Sequence, residues 1–224
     1  MSSPLVIFDL DGTLVDTAPD LIESLNHAIA PQGLQPFDIS QLHQLVGKGV
    51  KVMIERAFAL REAALDEETF EACFDRFTTH YRDGMPGKSR PYPGTRAALD
   101  RLKDGGFTLA VCTNKRMPLT MPLLTSLDLA GYFDVITGGD SFEYRKPDPR
   151  HVLGTIARAG MDPQNAVMIG DSSNDIDAAR GADVASVAVT FGYADRPVES
   201  LGANRLISHF DELTAALLEE VLVR

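Results

Sequence analysis

Cysteine is scarce in this sequence, which has only two thiols in 224 residues, Cys73 and Cys112. They lie far apart in unrelated apolar segments, so neither a disulfide framework nor a zinc site has support. We expect both side chains to be buried and reduced. Basic residues are also few, because 21 Lys and Arg stand against 32 Asp and Glu and leave a net charge of -11. Such a negative field disfavours nucleic acid and anionic membranes as partners.

Long apolar runs are absent as well. No window approaches the roughly 18 uncharged apolar residues of a membrane-spanning helix, and the N-terminal segment has no basic flank before Asp9. We therefore expect a cytoplasmic protein without a membrane-spanning segment, either a monomer or a homodimer. Histidines are few and scattered, so neither a histidine phosphatase nor a Ser-His-Asp hydrolase has an anchor. They are His27, His43, His80, His151 and His209.

Short apolar segments without alternation recur along the chain. Segments of this kind suit strands that are covered on both faces of a parallel sheet. They alternate with stretches of helical periodicity, which predicts an α/β fold with a doubly wound, Rossmann-type parallel sheet and right-handed crossovers. The predicted strands are 5–8, 108–112, 135–137, 166–169 and 184–189.

The strand rhythm is interrupted after the first strand, where apolar side chains recur at helical spacing. The pattern predicts a small inserted α-helical cap domain at 17–90, between the two parts of a core domain at 1–16 and 91–224. A Pro- and Gly-rich segment leads back into the core and is typical of a hinge. Thr17 and Asp20 are predicted to form a capping box at the start of the first inserted helix.

An acidic pair, Asp9 and Asp11, follows directly on the first predicted strand. Parallel sheets open their ligand crevice at the carboxyl ends of their strands. Two close carboxylates repel each other unless a proton or a cation lies between them, and Mg²⁺ prefers such oxygen ligands. The pair therefore indicates a metal site, acid-base chemistry or both, although a turn with helix caps uses the same residue types.

Polar groups follow the later strands too. Thr113 and Asn114 end the second core strand with a hydroxyl and an amide that can donate to phosphate oxygens. Lys146 lies just before a proline and could neutralise a carboxylate or a phosphoryl group, with Arg145 as the other candidate. Turn chemistry and solvated surface are the alternative explanations for these residues.

A second acidic pair, Asp171 and Asp175, follows the strand at 166–169. Its spacing lets both acids face one ion, or cap the next helix. All four motifs lie at or just beyond the carboxyl ends of predicted strands, so they could meet in one crevice. Chance produces one such motif easily but rarely four in order, and their combination indicates a single functional site.

The sequence resembles the haloacid dehalogenase superfamily of phosphotransferases through Asp9-Leu10-Asp11-Gly12-Thr13, Thr113-Asn114, Lys146-Pro147 and Gly170-Asp171-Ser172-x-x-Asp175. The resemblance spans nearly the whole chain, and the helical insertion resembles the small cap of that superfamily. The arrangement, including Phe191-Gly192-Tyr193, is similar to members that act on phosphoglycolate. It implies a Mg²⁺-dependent phosphatase of small phosphate monoesters, with 2-phosphoglycolate as the expected substrate.

The resemblance also implies catalytic roles. Asp9 would be the nucleophile that becomes an aspartyl phosphate, and Asp11 would be the general acid and then the general base. Thr113 and Asn114 would hold phosphate oxygens. Lys146 would offset the negative charge on the nucleophile and the phosphoryl group.

The same resemblance implies a ligand set for Mg²⁺. Asp9, the backbone carbonyl of Asp11, and Asp171 would bind the ion. Asp175 would be a further ligand or would support the others. Phosphoryl transfer depends on alignment and charge stabilisation, which such a set of groups supplies.

Substrate choice is expected to lie in the cap. Lys48 stands between two glycines at a predicted helix start and could meet a substrate carboxylate, or simply be solvated. The alternatives within the superfamily are a β-phosphoglucomutase-like phosphotransferase, a pyrophosphatase or a sugar phosphatase. Outside it, a phospho-accepting receiver domain is disfavoured by the helical insertion, and a noncatalytic binding module is disfavoured by the intact acidic pair.

Overall fold

Six parallel strands form the main sheet in the part of the chain that the structure describes. A computed structural model describes residues 4–46 and 49–223 of the chain. The strands are β1 (Leu5–Phe8), β2 (Val15–Asp16), β3 (Arg90–Pro91), β4 (Thr108–Cys112), β5 (Val135–Thr137), β6 (Ala166–Gly170), β7 (Ala185–Val189) and β8 (Arg205–Ile207). The order in the main sheet is β5-β4-β1-β6-β7-β8, while β2 and β3 form a separate antiparallel pair. The doubly wound parallel sheet predicted from the apolar segments is confirmed.

Side chains of β1 explain why its sequence does not alternate. Val6 and Phe8 enter one buried apolar cluster, and Leu5 and Ile7 enter another on the opposite face of the sheet. A strand covered on both faces needs apolar residues at every position. The apolar pattern does not predict strand β8, because Arg205 and Leu206 are exposed at the sheet edge and the strand has no continuous apolar run.

Helices cover both faces of the sheet and fill the insertion after β2. They are α1 (Ala18–Ile29), α2 (Gly49–Leu60), α3 (Glu67–Asp83), α4 (Thr95–Asp104), α5 (Met117–Ser126), α6 (Pro149–Arg158), α7 (Ser173–Gly181) and α8 (Ala215–Leu222). Within the described residues, none of these helices is both long and apolar enough to cross a membrane. Cys73 and Cys112 are buried and unpaired, as predicted.

Helices α1, α2 and α3 share a buried apolar cluster, which Leu119 of α5 also joins. Leu25, Ile54 and Phe77 are three of its fully buried members, one from each helix. The short strands β2 and β3 pair where the chain leaves and re-enters the sheet region, with Val15 opposite Pro91 and Asp16 opposite Arg90. This pairing holds the start and the end of the inserted segment next to each other. The division into a cap at 17–90 and a core stays a prediction.

The predicted capping box at the start of α1 is wrong. The Thr17 hydroxyl makes no capping bond and instead donates to Asp11 Oδ1 at 2.7 Å. Asp20 turns away from the helix end and accepts hydrogen bonds from the backbone nitrogens of Lys88 and Ser89, at 2.9 and 2.7 Å. Both side chains therefore bond to residues outside α1 and not to the free backbone groups at the helix end. Thr17 thus ties the first inserted helix to the acidic pair.

Candidate active site

The sheet order brings the polar motifs to one edge. Strand β1 lies between β4 and β6, so the residues that follow these three strands are neighbours. Asp9 follows β1, Thr113 follows β4 and Asp171 follows β6. Lys146 reaches the same edge from the loop between β5 and α6. The convergence predicted for the four motifs is present in the structure.

Three carboxylates form a compact acidic cluster. One oxygen from each of Asp9, Asp171 and Asp175 lies within 4.8 Å of the others. Burial raises the pKa of Asp9 to about 7, with Lys146 opposing the shift and Asp175 adding to it. Burial, followed by repulsion from Asp175 and Asp9, raises the pKa of Asp171 well above its usual value. The cluster therefore carries more negative charge than its surroundings stabilise.

Lys146 is the cation inside this cluster, and it is 1% exposed. Its Nζ lies 3.0 Å from Asp9 Oδ1 and donates to Asp175 Oδ1 at 2.6 Å and to the carbonyl oxygen of Cys112 at 2.5 Å. Burial alone would lower the pKa of Lys146, but the carboxylates of Asp175 and Asp9 outweigh it and raise that pKa. The ammonium group therefore stays charged beside the predicted nucleophile.

The second acidic pair is held in different ways. Asp175 uses one oxygen for Lys146 and the other for the backbone nitrogen and hydroxyl of Ser172, at 3.0 and 2.7 Å. Asp171 accepts from the Thr13 hydroxyl at 3.2 Å and from the Tyr193 backbone nitrogen at 2.6 Å. Asp175 is thus held in place by Lys146 and by Ser172 at the start of α7. Sequence spacing identified both acids but not these partners.

Asp11 is bound by a lysine that the sequence analysis missed. Lys115 Nζ donates to both Asp11 oxygens, at 2.9 and 3.0 Å, and lies 4.5 Å from the centre of the Tyr81 ring on α3. The Asp11 side chain keeps 24% of its surface exposed toward the cavity, whereas the lysine is buried. Its position two residues after Thr113, at the same strand end, is the signal that could have found it.

The remaining predicted site residues divide into two groups. Thr113 and Asn114 line the cavity above the acidic cluster, where the Thr113 hydroxyl accepts from Lys115 N at 3.2 Å. Asn114 Nδ2 donates to the carbonyl oxygen of Lys146 at 2.9 Å and so joins the two loops. Lys48, predicted to meet a substrate carboxylate, lies outside the described residues.

The cavity has a volume of about 320 Å³ and lies between the strand ends and the inserted helices. Asp9, Asp11 and Asp171 form part of its acidic end. The wall formed by the insertion is largely apolar, and its apolar members are Leu21, Val46, Val50, Met53 and Phe74. The cavity thus offers a charged floor and a small apolar roof.

Tyr193 connects the acidic cluster to the inserted segment. Its backbone nitrogen donates to Asp171, and its hydroxyl donates to Asp16 and accepts from the backbone nitrogen of Ala18 at 2.9 Å. The preceding residue has to be glycine, because a Cβ at Gly192 would lie 2.3 Å from the carbonyl oxygen of Gly12. The Phe191-Gly192-Tyr193 segment therefore links the second acidic pair to the start of α1.

Comparison with known proteins gives a consistent family assignment. A family model described as haloacid dehalogenase-like hydrolase matches residues 6–189. A phosphoglycolate phosphatase from Agrobacterium fabrum is 57% identical over 98% of this chain and 94% of its own length. One from Mesorhizobium japonicum is 47% identical over 99% and 98% of the two chains.

Solved structures agree in fold. The crystal structure of a predicted phosphoglycolate phosphatase from Haemophilus somnus superimposes with a TM-score of 0.90 at 32% identity, covering 95% of this chain and 97% of that one. CbbY from Rhodobacter sphaeroides, solved in complex with phosphate, gives a TM-score of 0.84 at 26% identity, covering 97% and 99%.

Proposed function

Because the chain belongs to the haloacid dehalogenase-like hydrolase family, we propose that it hydrolyses 2-phosphoglycolate to glycolate and phosphate through an aspartyl phosphate. The observation that carries the proposal is the position of Asp9, which lies on the floor of the cavity beside the buried ammonium group of Lys146. A carboxylate nucleophile needs charge compensation when it approaches a phosphate dianion, and this lysine supplies it. The enzyme is a phosphoric monoester hydrolase.

The reaction proceeds in two displacements. An Asp9 carboxylate oxygen bonds to phosphorus as the bond to the glycolate oxygen breaks, and Asp11 gives that oxygen a proton. Asp11 then takes a proton from a water molecule, whose oxygen attacks phosphorus and releases the carboxylate of Asp9. Lys115 holds Asp11 through both of its carboxylate oxygens, and Thr17 holds it through Oδ1. Asp11 therefore enters the reaction from a fixed position.

Other residues of the chain bind and align the phosphoryl group. Thr113 and Asn114 line the cavity beside Asp9 and offer a hydroxyl and an amide to its oxygens. Lys146 remains charged during the displacement because Asp175 holds its ammonium group from the other side. Alignment and charge stabilisation of this kind are the main requirements of phosphoryl transfer.

The acidic cluster fits a divalent cation. Its three carboxylates are close together, two of them have raised pKa values, and the buried Asp9 Oδ1 has the ion pair with Lys146 as its contact but accepts no hydrogen bond. Hard oxygen donors of this kind suit Mg²⁺, which Asp9, the backbone carbonyl of Asp11, and Asp171 would hold. Asp175 would support the set through Lys146. When bound, the ion would neutralise charge on the phosphoryl oxygens.

The apolar lining of the cavity roof favours a small acid over a sugar phosphate. A sugar brings several hydroxyl groups, each of which needs a partner when it leaves water. The described part of the roof is mostly apolar, with Val50, Met53 and Phe74 among its members. This composition argues against the β-phosphoglucomutase-like alternative, because glucose hydroxyls would meet carbon atoms there.

A panel of phosphate compounds tests the proposal. We expect kcat/KM for 2-phosphoglycolate to exceed that for glucose 1-phosphate, glucose 6-phosphate and pyrophosphate by about 100-fold or more. Phosphate release should require Mg²⁺ and stop with chelator. A sugar phosphate or pyrophosphate turned over faster would refute the substrate assignment. A single stoichiometric phosphorylation without turnover would instead indicate a receiver-like protein.

Magnesium affinity is expected to fall as the pH is lowered through about 7. The raised pKa of Asp9 means that the folded protein holds a proton there below about pH 7, and the cation must displace it. Isothermal titration calorimetry at pH 6 and pH 8 should therefore show weaker binding and greater proton release at pH 6. Equal affinity and no proton release at both pH values would contradict the predicted ligand role of Asp9.

A further inference from the structure

Cationic side chains surround the cavity, and most of them are already engaged. Among the described residues, the four that line it are Lys51, Lys115, Arg116 and Arg145. Lys115 is paired with Asp11, and Arg116 Nε lies 3.2 Å from a carboxylate oxygen of Asp140. The Lys51 ammonium group lies over the rings of Phe70 and Phe74, at 5.7 and 5.6 Å from their centres.

Arg145 differs from these three cations. Within residues 4–46 and 49–223, it makes no ion pair, side-chain hydrogen bond or aromatic contact that would occupy its guanidinium group. It directly precedes Lys146, whose side chain points to Asp9, so the two neighbours serve different parts of the same cavity. Among the described cations that line the cavity, Arg145 is the one that remains available for a ligand.

The surroundings of Arg145 place it where the two halves of the cavity meet. The hydrogen bond from Asn114 to the carbonyl oxygen of Lys146 holds the loop of Arg145 and Lys146 against the loop of Thr113 and Asn114. The first residue of α2 approaches from the insertion, since a Cβ at Gly49 would lie 3.6 Å from Arg145 Nη1 and from the Asn114 carbonyl oxygen. Arg145 therefore lies between the phosphoryl-binding floor and the apolar roof.

A substrate with a second anionic group needs a cation at this point. The carboxylate of 2-phosphoglycolate is one methylene and one oxygen away from phosphorus, and an unpaired carboxylate against an apolar roof would be costly to desolvate. A guanidinium group binds a carboxylate through two parallel hydrogen bonds, which gives both energy and orientation. Taking the proposed function as its basis, we propose that Arg145 binds the substrate carboxylate and so determines specificity for phosphorylated small acids.

The test compares two substrates that differ only at this group. Ethyl phosphate replaces the carboxylate of 2-phosphoglycolate by a methyl group and keeps the phosphate ester. Arg145→Gln is expected to lower kcat/KM for 2-phosphoglycolate about 30-fold or more. The decrease for ethyl phosphate should be at least about 10-fold smaller. Arg145→Lys should restore part of the preference, because it returns the charge without the planar fork.

Two further variants make the comparison specific. Arg150→Gln removes a nearby guanidinium that is bound to Asp148 and does not line the cavity, so both substrates should be hydrolysed as by the wild type. Lys48→Ala tests the other candidate for the carboxylate. If Arg145→Gln affects both substrates equally, or if only Lys48→Ala removes the preference, the assignment of Arg145 is wrong. If the wild type shows no preference for 2-phosphoglycolate, the proposed function itself is wrong.

Discussion

Replacing Lys146 by methionine is expected to lower both the free energy of unfolding and the turnover number. The ammonium group is buried between Asp9 and Asp175, and removing one partner of a buried ion pair leaves the other charges uncompensated. We expect a loss of about 3 kcal/mol in the free energy of unfolding, measured by urea denaturation in chelator. Turnover of 2-phosphoglycolate should decrease about 10³-fold, because the cation beside the nucleophile is lost.

A second variant separates the two effects. Lys146→Met combined with Asp175→Asn removes one of the unpaired carboxylates and should recover part of the lost stability without recovering turnover. Lys88→Met is the matched surface control, because Lys88 is paired with Glu23 in an exposed position and such pairs contribute little. If Lys146→Met unfolds at the same urea concentration as Lys88→Met, the buried cation does not stabilise the cluster.

The central residues of the site could be predicted from the sequence, because they directly follow the ends of predicted strands. Apolar segments located β1, β4 and β6, and parallel strands necessarily bring their carboxyl ends to one edge. Asp9 and Asp171 therefore could be placed together without knowing any long-range contact. Lys146 required the resemblance as well, since an isolated lysine before a proline has no structural signature of burial.

Other contacts could not be predicted, because they depend on how separate elements of the fold pack against one another. Nothing in the sequence around Lys115 distinguishes it from a surface lysine. Its contacts with Asp11 and Tyr81 form only in the folded protein. Thr17 has the sequence signature of a helix cap, yet its hydroxyl bonds to Asp11, because the start of α1 lies against the acidic pair. Local propensity describes what a residue can do, and tertiary neighbours decide which option is used.

The same distinction separates the two arginines near the cavity. Arg116 and Arg145 both lie in loops that follow core strands, and each is next to a lysine. Arg116 is paired with Asp140, whereas Arg145 lines the cavity next to the start of α2. Only the packing of the inserted helix against the loop of Lys146 distinguishes a structural ion pair from a candidate substrate-binding group.

Replacing Asp9 by asparagine is expected to abolish turnover while leaving the fold at least as stable. The amide cannot form the acyl phosphate, so kcat for 2-phosphoglycolate should fall about 10⁴-fold or more. Acid-quenched wild type should carry a phosphoryl group on Asp9, and the variant should carry none. Asp100→Asn, which alters an exposed carboxylate bound to Tyr132, should retain normal turnover.

The stability of the Asp9→Asn variant should depend on pH in a defined direction. Burial raises the pKa of Asp9 from 3.8 to about 7, so ionising it in the folded protein is unfavourable, and that cost grows as the pH rises between these values. In chelator, the variant should therefore gain stability over the wild type between pH 5 and pH 8, measured by thermal unfolding. A variant that is less stable at pH 8 than at pH 5, relative to the wild type, would show that the cluster needs this charge for folding. The lost turnover would then have a structural cause, and the role of Asp9 as nucleophile would depend on the phosphoryl adduct alone.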